Sequence, residues 1–269
     1  RGLKKMLAVN HIGKLGRLGN QMFQYASLRG IAHNRGYDFG IPPSDYEDEW
    51  NEHQLFEVFE LPALNPQNIK FLDNGHAPVA RERFFEFDQE LFDKCPNDIS
   101  LLGFFQSERY FGNIKESIKE DFTFLPNILE PVEEMITQLN HPVALHVRRT
   151  DYLTNSENHA NLPLDYYRAA LSQFDDTRQV IVFSDDPAWC IEQEIFSDDR
   201  FIVSESDDNA VDMCLMSKCS GHIIANSSFS WWGAWLADSK KVIAPSLWFG
   251  PNNKDKTTRD LIPERWHII

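Results

Sequence analysis

The clearest hydrophobic pattern in this chain lies in its second half, where short apolar runs alternate with longer amphipathic stretches. Val143–Val147, Val180–Phe183, Phe201–Val203, His222–Ala225 and Val242–Ala244 read as buried strands. Leu164–Phe174, Pro187–Phe196, Asn209–Lys218 and Phe229–Ala237 carry helical spacing between them. Pro187 opens one of these helices at a position where its missing N–H costs nothing, and Gly221 follows the end of another. Strands alternating with helices of this length predict a parallel sheet with crossover helices.

The first half is less regular. Gly13–Asn20 reads as a glycine-spaced loop, followed by a helix over Gln21–Asn34 with Met22, Ala26 and Leu28 among its apolar positions. Ser44–Glu60 holds seven acids and no base and reads as surface structure. Residues 62–110 mix Phe, Pro and short polar breaks and yield no traceable alternation. Prolines at 126, 131 and 142 bracket an amphipathic stretch that suits a connection between two lobes. The expected division is an N-terminal lobe at 1–140 and a C-terminal lobe at 141–269, meeting at a cleft.

Composition narrows the function. A chain of 269 residues with 42% hydrophobic and 13% aromatic content is globular and long enough to bury a core. A net charge of −15 argues against nucleic acid as the main partner. Its distribution is more informative. Residues 1–37 carry seven Lys or Arg and no acid, whereas Gln179–Asp212 carries ten acids against Arg200 alone. An acidic protein that binds an anion must gather positive charge locally, and the first segment with Arg148 and Arg149 can do so. The four cysteines have no zinc-type spacing and read as packed thiols, which makes a reducing compartment the default. No apolar run is long enough to span a bilayer. A cytoplasmic protein, or one at the inner membrane face, is the expectation. Because the chain starts at Arg1 without a Met, an upstream anchor could have been removed.

Three strand ends carry candidate chemistry. The run Val143–Val147 leads into Arg148-Arg149-Thr150-Asp151, where an open α/β sheet places its ligands. Two adjacent guanidiniums are costly to desolvate unpaired, so a phosphate is the natural partner; an internal Arg–Asp network is the plainer alternative. At the end of the next strand, Asp185 or Asp186 could accept paired hydrogen bonds from guanine, or simply cap the Pro187 helix. Asp-Asp doublets recur at 175–176, 198–199 and 207–208, so this pair is weak evidence for a metal, and none is expected. Asn226-Ser227-Ser228 begins a helix whose amides and hydroxyls can face phosphate, while Trp231, Trp232 and Trp235 fit the core better than a ligand platform. In the first half, Gly16-Arg17-Leu18-Gly19-Asn20-Gln21 opens a helix, with glycines that admit close approach and amides that can bond sugar or phosphate oxygens; a simple turn is the alternative.

Taken together, Gly16–Ala26, His146–Tyr152, Phe183–Asp186 and Asn226–Leu236 resemble the α-1,2-fucosyltransferases of glycosyltransferase family 11, in their bacterial form. The resemblance implies an α/β, GT-B-like fold with two Rossmann-type lobes and a donor cleft between them. It implies GDP-fucose as co-substrate, no other cofactor, no obligatory metal, and inversion at the fucose anomeric carbon. The acceptor would be the 2-hydroxyl of a galactose ending an oligosaccharide or glycolipid. Arg148 would neutralise the diphosphate with His146 beside it, Asp185 or Asp186 would read guanine, and Ser227 and Ser228 would hold phosphate oxygens. Gly19 would help bind the donor, Asn20 would sit at the donor–acceptor junction, and Asp151 could take the acceptor proton unless the path is loose enough to need no strong base. Two competing readings are a phosphate-ester hydrolase with His146 as nucleophile and a non-catalytic nucleotide- or glycan-binding protein.

Overall fold

The computed structural model describes residues 4–269. They form two compact units: Arg1–Leu125 with Arg259–Leu261, and Pro126–Thr258 with Ile262–Ile269. The division thus falls at 125/126 and not at 140. The stretch expected to be a connection is the helix Pro126–Thr137, which packs on the helix Asn209–Ser217 of the second unit and buries Ile128 and Val132.

The first unit holds a parallel sheet of β1 (Met6–Ala8), β2 (Asp38–Gly40), β3 (Val79–Arg81) and β4 (Ile99–Leu102), in the order β2-β1-β4-β3. The long helix α1 (Leu18–Arg35) is buried along most of its length and ends at Gly36, whose φ of 68° suits a left-handed cap. It begins a turn earlier than its apolar pattern predicts, so Gly19 and Asn20 lie in its first turn and not in the preceding loop. Three short helices complete the unit: α2 (Leu55–Val58), α3 (Gln89–Lys94) and α4 (Lys115–Asp121). The fully buried Asp121, at the end of α4, ties that helix to α1 and to the loop at Ala63. It accepts the Tyr25 hydroxyl at 2.7 Å, the Arg29 guanidinium at 2.7 Å and the Ala63 amide at 3.0 Å.

The second unit starts with α5 (Pro126–Thr137), then alternates as the pattern predicts: β5 (Val143–Val147), α6 (Thr150–Thr154), α7 (Leu164–Leu171), β6 (Val180–Ser184), α8 (Pro187–Ile191), β7 (Phe201–Val203), α9 (Asn209–Ser217), β8 (Gly221–Ile223), α10 (Ser228–Ala237), β9 (Val242–Ala244) and β10 (His267–Ile268). The helix expected over Pro187–Phe196 is broken, with a separate 3-10 turn at Glu194–Phe196. All strands are parallel, in the order β10-β9-β8-β5-β6-β7. Counted within the unit this is 6-5-4-1-2-3, the doubly wound order, with its topological switch between β5 and β8. Every residue of β5 is buried, as expected for a central parallel strand covered on both faces.

Trp231, Trp232 and Trp235 are fully buried and pack with each other and with Trp266 in the core. The four cysteines are free and buried, and burial pushes their thiols up to between about 11 and about 12.

Candidate active site

The switch point of the second unit fixes where a ligand can sit. Beyond the carboxyl end of β5 come Arg148 and Arg149; beyond β8 come Asn226, Ser227 and the start of α10. His146, near the end of β5, joins the two sides: its Nδ1 lies 2.8 Å from Ser230 Oγ on α10, and that oxygen also accepts the Ala225 amide at 3.2 Å. His146 is only 4% exposed. Burial, with help from Arg148 and against a smaller effect of Asp185, pushes its pKa down to about 3. It is a neutral, packed link between the strand and the helix start.

The two arginines have different environments. Arg149 donates from Nε to Asp186 Oδ2 at 3.3 Å and lies 3.7 Å over the Trp189 ring, so it is anchored to α8. Arg148 donates from Nη2 to Asp151 Oδ1 at 2.7 Å and places Nε 3.5 Å from Asp185 Oδ2 without a hydrogen bond. Among the described residues only one of its N–H groups is hydrogen-bonded, and its side chain is 19% exposed. The Asp151 side chain is 47% exposed, and a pair that open to solvent is worth about 1 kcal/mol or less. A doubly charged phosphate group can therefore displace Asp151 and engage the guanidinium fork.

Asp185 is taken up by the chain itself. Its Oδ1 accepts the Arg149 amide at 2.8 Å; its Oδ2 accepts the Thr150 amide at 3.1 Å and the Thr150 hydroxyl at 2.5 Å. Burial pushes its carboxyl up, but the Thr150 hydroxyl, Arg148 and the Arg149 amide outweigh that and hold it below the usual value. Both oxygens thus pin the turn that carries Arg148, which leaves poor geometry for the guanine reading expected of this residue. Asp186 is engaged too: Oδ1 caps α8 at the Trp189 amide and Oδ2 meets Arg149.

Asp212, on α9, was not among the expected site residues. It is 7% exposed and accepts one hydrogen bond, from Ser204 Oγ at 2.8 Å. Ser204 follows β7 and donates its amide to Val182 of β6, so the pair lies at the same carboxyl edge of the sheet, beside the Ser184–Asp186 turn. Burial, opposed by the Ser204 bond and assisted by Asp208, pushes its carboxyl up to about 6. The Asp212 carboxylate is buried and keeps acceptor capacity beyond the Ser204 bond. Its signal in the sequence was a lone acid inside the apolar helical run Val211–Met216.

At the start of α10, the Ser227 hydroxyl caps the helix by accepting the Phe229 amide at 3.3 Å, and Ser228 is its partly exposed first residue. Helix-start amides and a hydroxyl that still holds its proton suit phosphate oxygens. Tyr152 lies beneath Arg148, 5.2 Å from its guanidinium carbon, stacks on His159 at 4.3 Å and donates its hydroxyl to the Asn226 carbonyl at 2.9 Å.

In the first unit, Gln21 is wholly structural, bonded to Gly16, Glu52 and Gln54. Gly19 is buried in the first turn of α1. Asn20 is half-buried and accepts from Gln106 Nε2 at 2.7 Å. Gly16 has φ 84°, and a Cβ there would collide with the Asn20 amide, so glycine is required twice over. Among the described residues, no group of three or more His, Cys, Asp or Glu side chains is placed to hold a metal ion, and no helix is long and apolar enough to cross a membrane.

A doubly wound sheet with a guanidinium and a helix start at its switch point, in a chain whose other unit has a parallel sheet of its own, is the architecture of GT-B-like glycosyltransferases. Among solved structures the fold is similar to the fucosyltransferase NodZ from Bradyrhizobium, with a TM-score of 0.54 and 13% identity over 86% of this chain and 93% of that one. It is equally similar to POFUT1 solved in complex with GDP, with a TM-score of 0.54 and 13% identity over 88% and 95% of the two chains. More specifically, residues 1–266 match the model of glycosyl transferase family 11, and the chain belongs to that family. It is 34% identical to an alpha-1,2-colitosyltransferase of Escherichia coli, across 93% of this chain and 95% of that protein. It is 32% identical to the O-antigen biosynthesis glycosyltransferase WbnK of Escherichia coli, across 91% and 96%. Identity to the galactoside 2-alpha-L-fucosyltransferase SEC1 of Bos taurus is 26%, across 86% of this chain and 65% of that protein.

Proposed function

We propose that the protein transfers L-fucose from GDP-fucose to the 2-hydroxyl of a terminal galactose, with inversion at the anomeric carbon. The observation that carries this reading is Arg148 at the switch point, with one N–H group hydrogen-bonded, to the exposed Asp151, and Asp185 nearby at 3.5 Å. The bond between fucose C1 and the β-phosphate oxygen breaks, and its electron pair leaves with GDP. A bond forms between C1 and the galactose 2-oxygen, whose proton passes to a carboxylate. Arg148, with the amides and hydroxyls of Ser227 and Ser228, stabilises the charge that grows on the leaving phosphate. That charge stabilisation requires no metal. Asp151, the acid that pairs with Arg148, is suited to receive the proton.

Guanine presents two parallel N–H donors, and they need a carboxylate with free lone pairs. Asp212 fits that demand better than Asp185 or Asp186, whose oxygens are occupied within the chain.

The test is a screen of GDP-sugars against galactosides, with linkage analysis of the product. Fucose on O2 of galactose with β-L to α-L inversion is expected. Preference for another GDP-sugar, colitose included, would reassign the donor, and phosphate release without a glycan product would overturn the transferase reading.

A further inference from the structure

The loop after β4 has a costly conformation. Phe105 is a buried, non-glycine residue at φ 50°, a backbone region that strains an L side chain. Three contacts hold it there. The Glu82 carboxylate accepts the Phe104 amide at 3.3 Å and the Phe105 amide at 2.8 Å, and Ser27 on α1 donates its hydroxyl to the Phe105 carbonyl at 3.1 Å. Strain that is over-determined in this way points to what the loop presents. The next residue is Gln106.

Gln106 donates to Asn20 Oδ1 at 2.7 Å. That bond settles which atoms the two amides have left. Asn20 keeps both N–H groups of Nδ2, and Gln106 keeps the carbonyl oxygen Oε1; among the described residues neither group makes a hydrogen bond. Both side chains are half-buried. The pair therefore offers one donor group and one acceptor, fixed side by side at the carboxyl edge of the sheet of the first unit. A vicinal diol, in which each hydroxyl can both give and receive, complements that pattern. A phosphate does not, because Gln106 Oε1 would repel it.

We infer that Gln106 and Asn20 form a hydroxyl-recognition pair for the acceptor sugar, and that Gln106 sets acceptor specificity. This rests on the transferase reading above. Gln106 acts twice: it binds one sugar hydroxyl through Oε1, and it orients the Asn20 amide so that its N–H groups face a second hydroxyl. Gly16 leaves room for that amide on its other side.

The experiment compares wild type, Gln106→Ala and Gln106→Glu with a galactoside acceptor and its singly deoxygenated forms, alongside GDP binding by calorimetry and thermal melting. Gln106→Ala is expected to raise the acceptor KM at least tenfold, leave GDP affinity within twofold, and shrink the discrimination against one particular deoxy sugar towards one. Gln106→Glu keeps the size but cannot donate to Asn20 Oδ1; it turns the Asn20 amide round and should raise the acceptor KM with an unchanged melting temperature. Unchanged acceptor KM and unchanged deoxy-sugar discrimination in folded variants would overturn the inference. Failure of the transferase reading looks different: wild type itself would form no glycan product, and this inference would fall with it.

Discussion

The Arg149 backbone amide donates to Asp185 Oδ1 at 2.8 Å, across the gap between the ends of β5 and β6. With the two Thr150 bonds to Oδ2, this makes Asp185 a clamp on the turn that aims Arg148. Asp185→Asn replaces one acceptor oxygen with a donor that faces another donor. Transfer should fall by about 10-fold or more, on the order of 1–3 kcal/mol for a buried group left mispaired. The preference for GDP over inosine diphosphate, which lacks the exocyclic amine, should survive. Loss of that preference in Asp185→Asn would return guanine reading to this residue. Because the folded carboxyl is held below its unfolded value of about 3.9, its contribution to stability is present above that pH and disappears as the pH falls through the folded value.

Asp212→Asn should have the complementary phenotype. An amide cannot accept two bonds from guanine, so GDP should bind at least tenfold more weakly and inosine diphosphate should no longer be disfavoured. In wild type, GDP affinity should decline as the pH falls through about 6, where the carboxyl protonates. Stability runs the other way. A folded pKa raised above the unfolded one favours the folded state at low pH and loses that contribution as pH rises through about 6. Asp212→Asn keeps the Ser204 bond without the buried charge. It should therefore stabilise the ligand-free protein by about 1–2 kcal/mol at pH 8 and by little at pH 4. Equal melting temperatures at pH 8 and full GDP affinity would remove Asp212 from the site.

Arg148→Ala is expected to abolish transfer, and Arg148→Lys to rescue little, since a point charge lacks the planar fork. Loss of one charge-assisted contact that strengthens as GDP departs should cost about 3–4 kcal/mol, or about 10²–10³ in rate. A kcat within threefold of wild type would exclude Arg148 from the reaction.

Transfer should persist in excess EDTA, with at most modest stimulation by divalent ions, if the guanidinium and the start of α10 neutralise the diphosphate. Complete loss in chelator, restored by stoichiometric Mn²⁺, would instead make the carboxylates at the sheet edge metal ligands.

The second unit was legible in the sequence because its central strands are buried on both faces. Val143–Leu145 and Val180–Phe183 are apolar runs, and the chemistry falls at the ends of their strands. The first unit was not legible because β2 and β3 are only partly buried and carry charged ends, so no apolar run marks them. Long-range contacts hold that unit, such as those converging on Asp121, and no local pattern encodes them. Within the site, the sequence located the Arg148 and Asp185 clusters but not the division of labour. Whether a carboxylate faces a ligand or its own backbone depends on a turn in a neighbouring strand. Asp212 escaped notice because, in sequence, an acid in the first turn of a helix reads as a favourable partner for the helix dipole.

The buried thiols give the molecule a built-in record of its own opening. Cys95 belongs to the first unit, whereas Cys190, Cys214 and Cys219 belong to the second. Protonated and sealed from solvent at neutral pH, they resist alkylation until the surrounding structure parts. Mass spectrometry of a thiol-labelling time course would thus follow each half of the enzyme separately without any engineered probe, and a saturating nucleotide should slow the three-cysteine half more than the other.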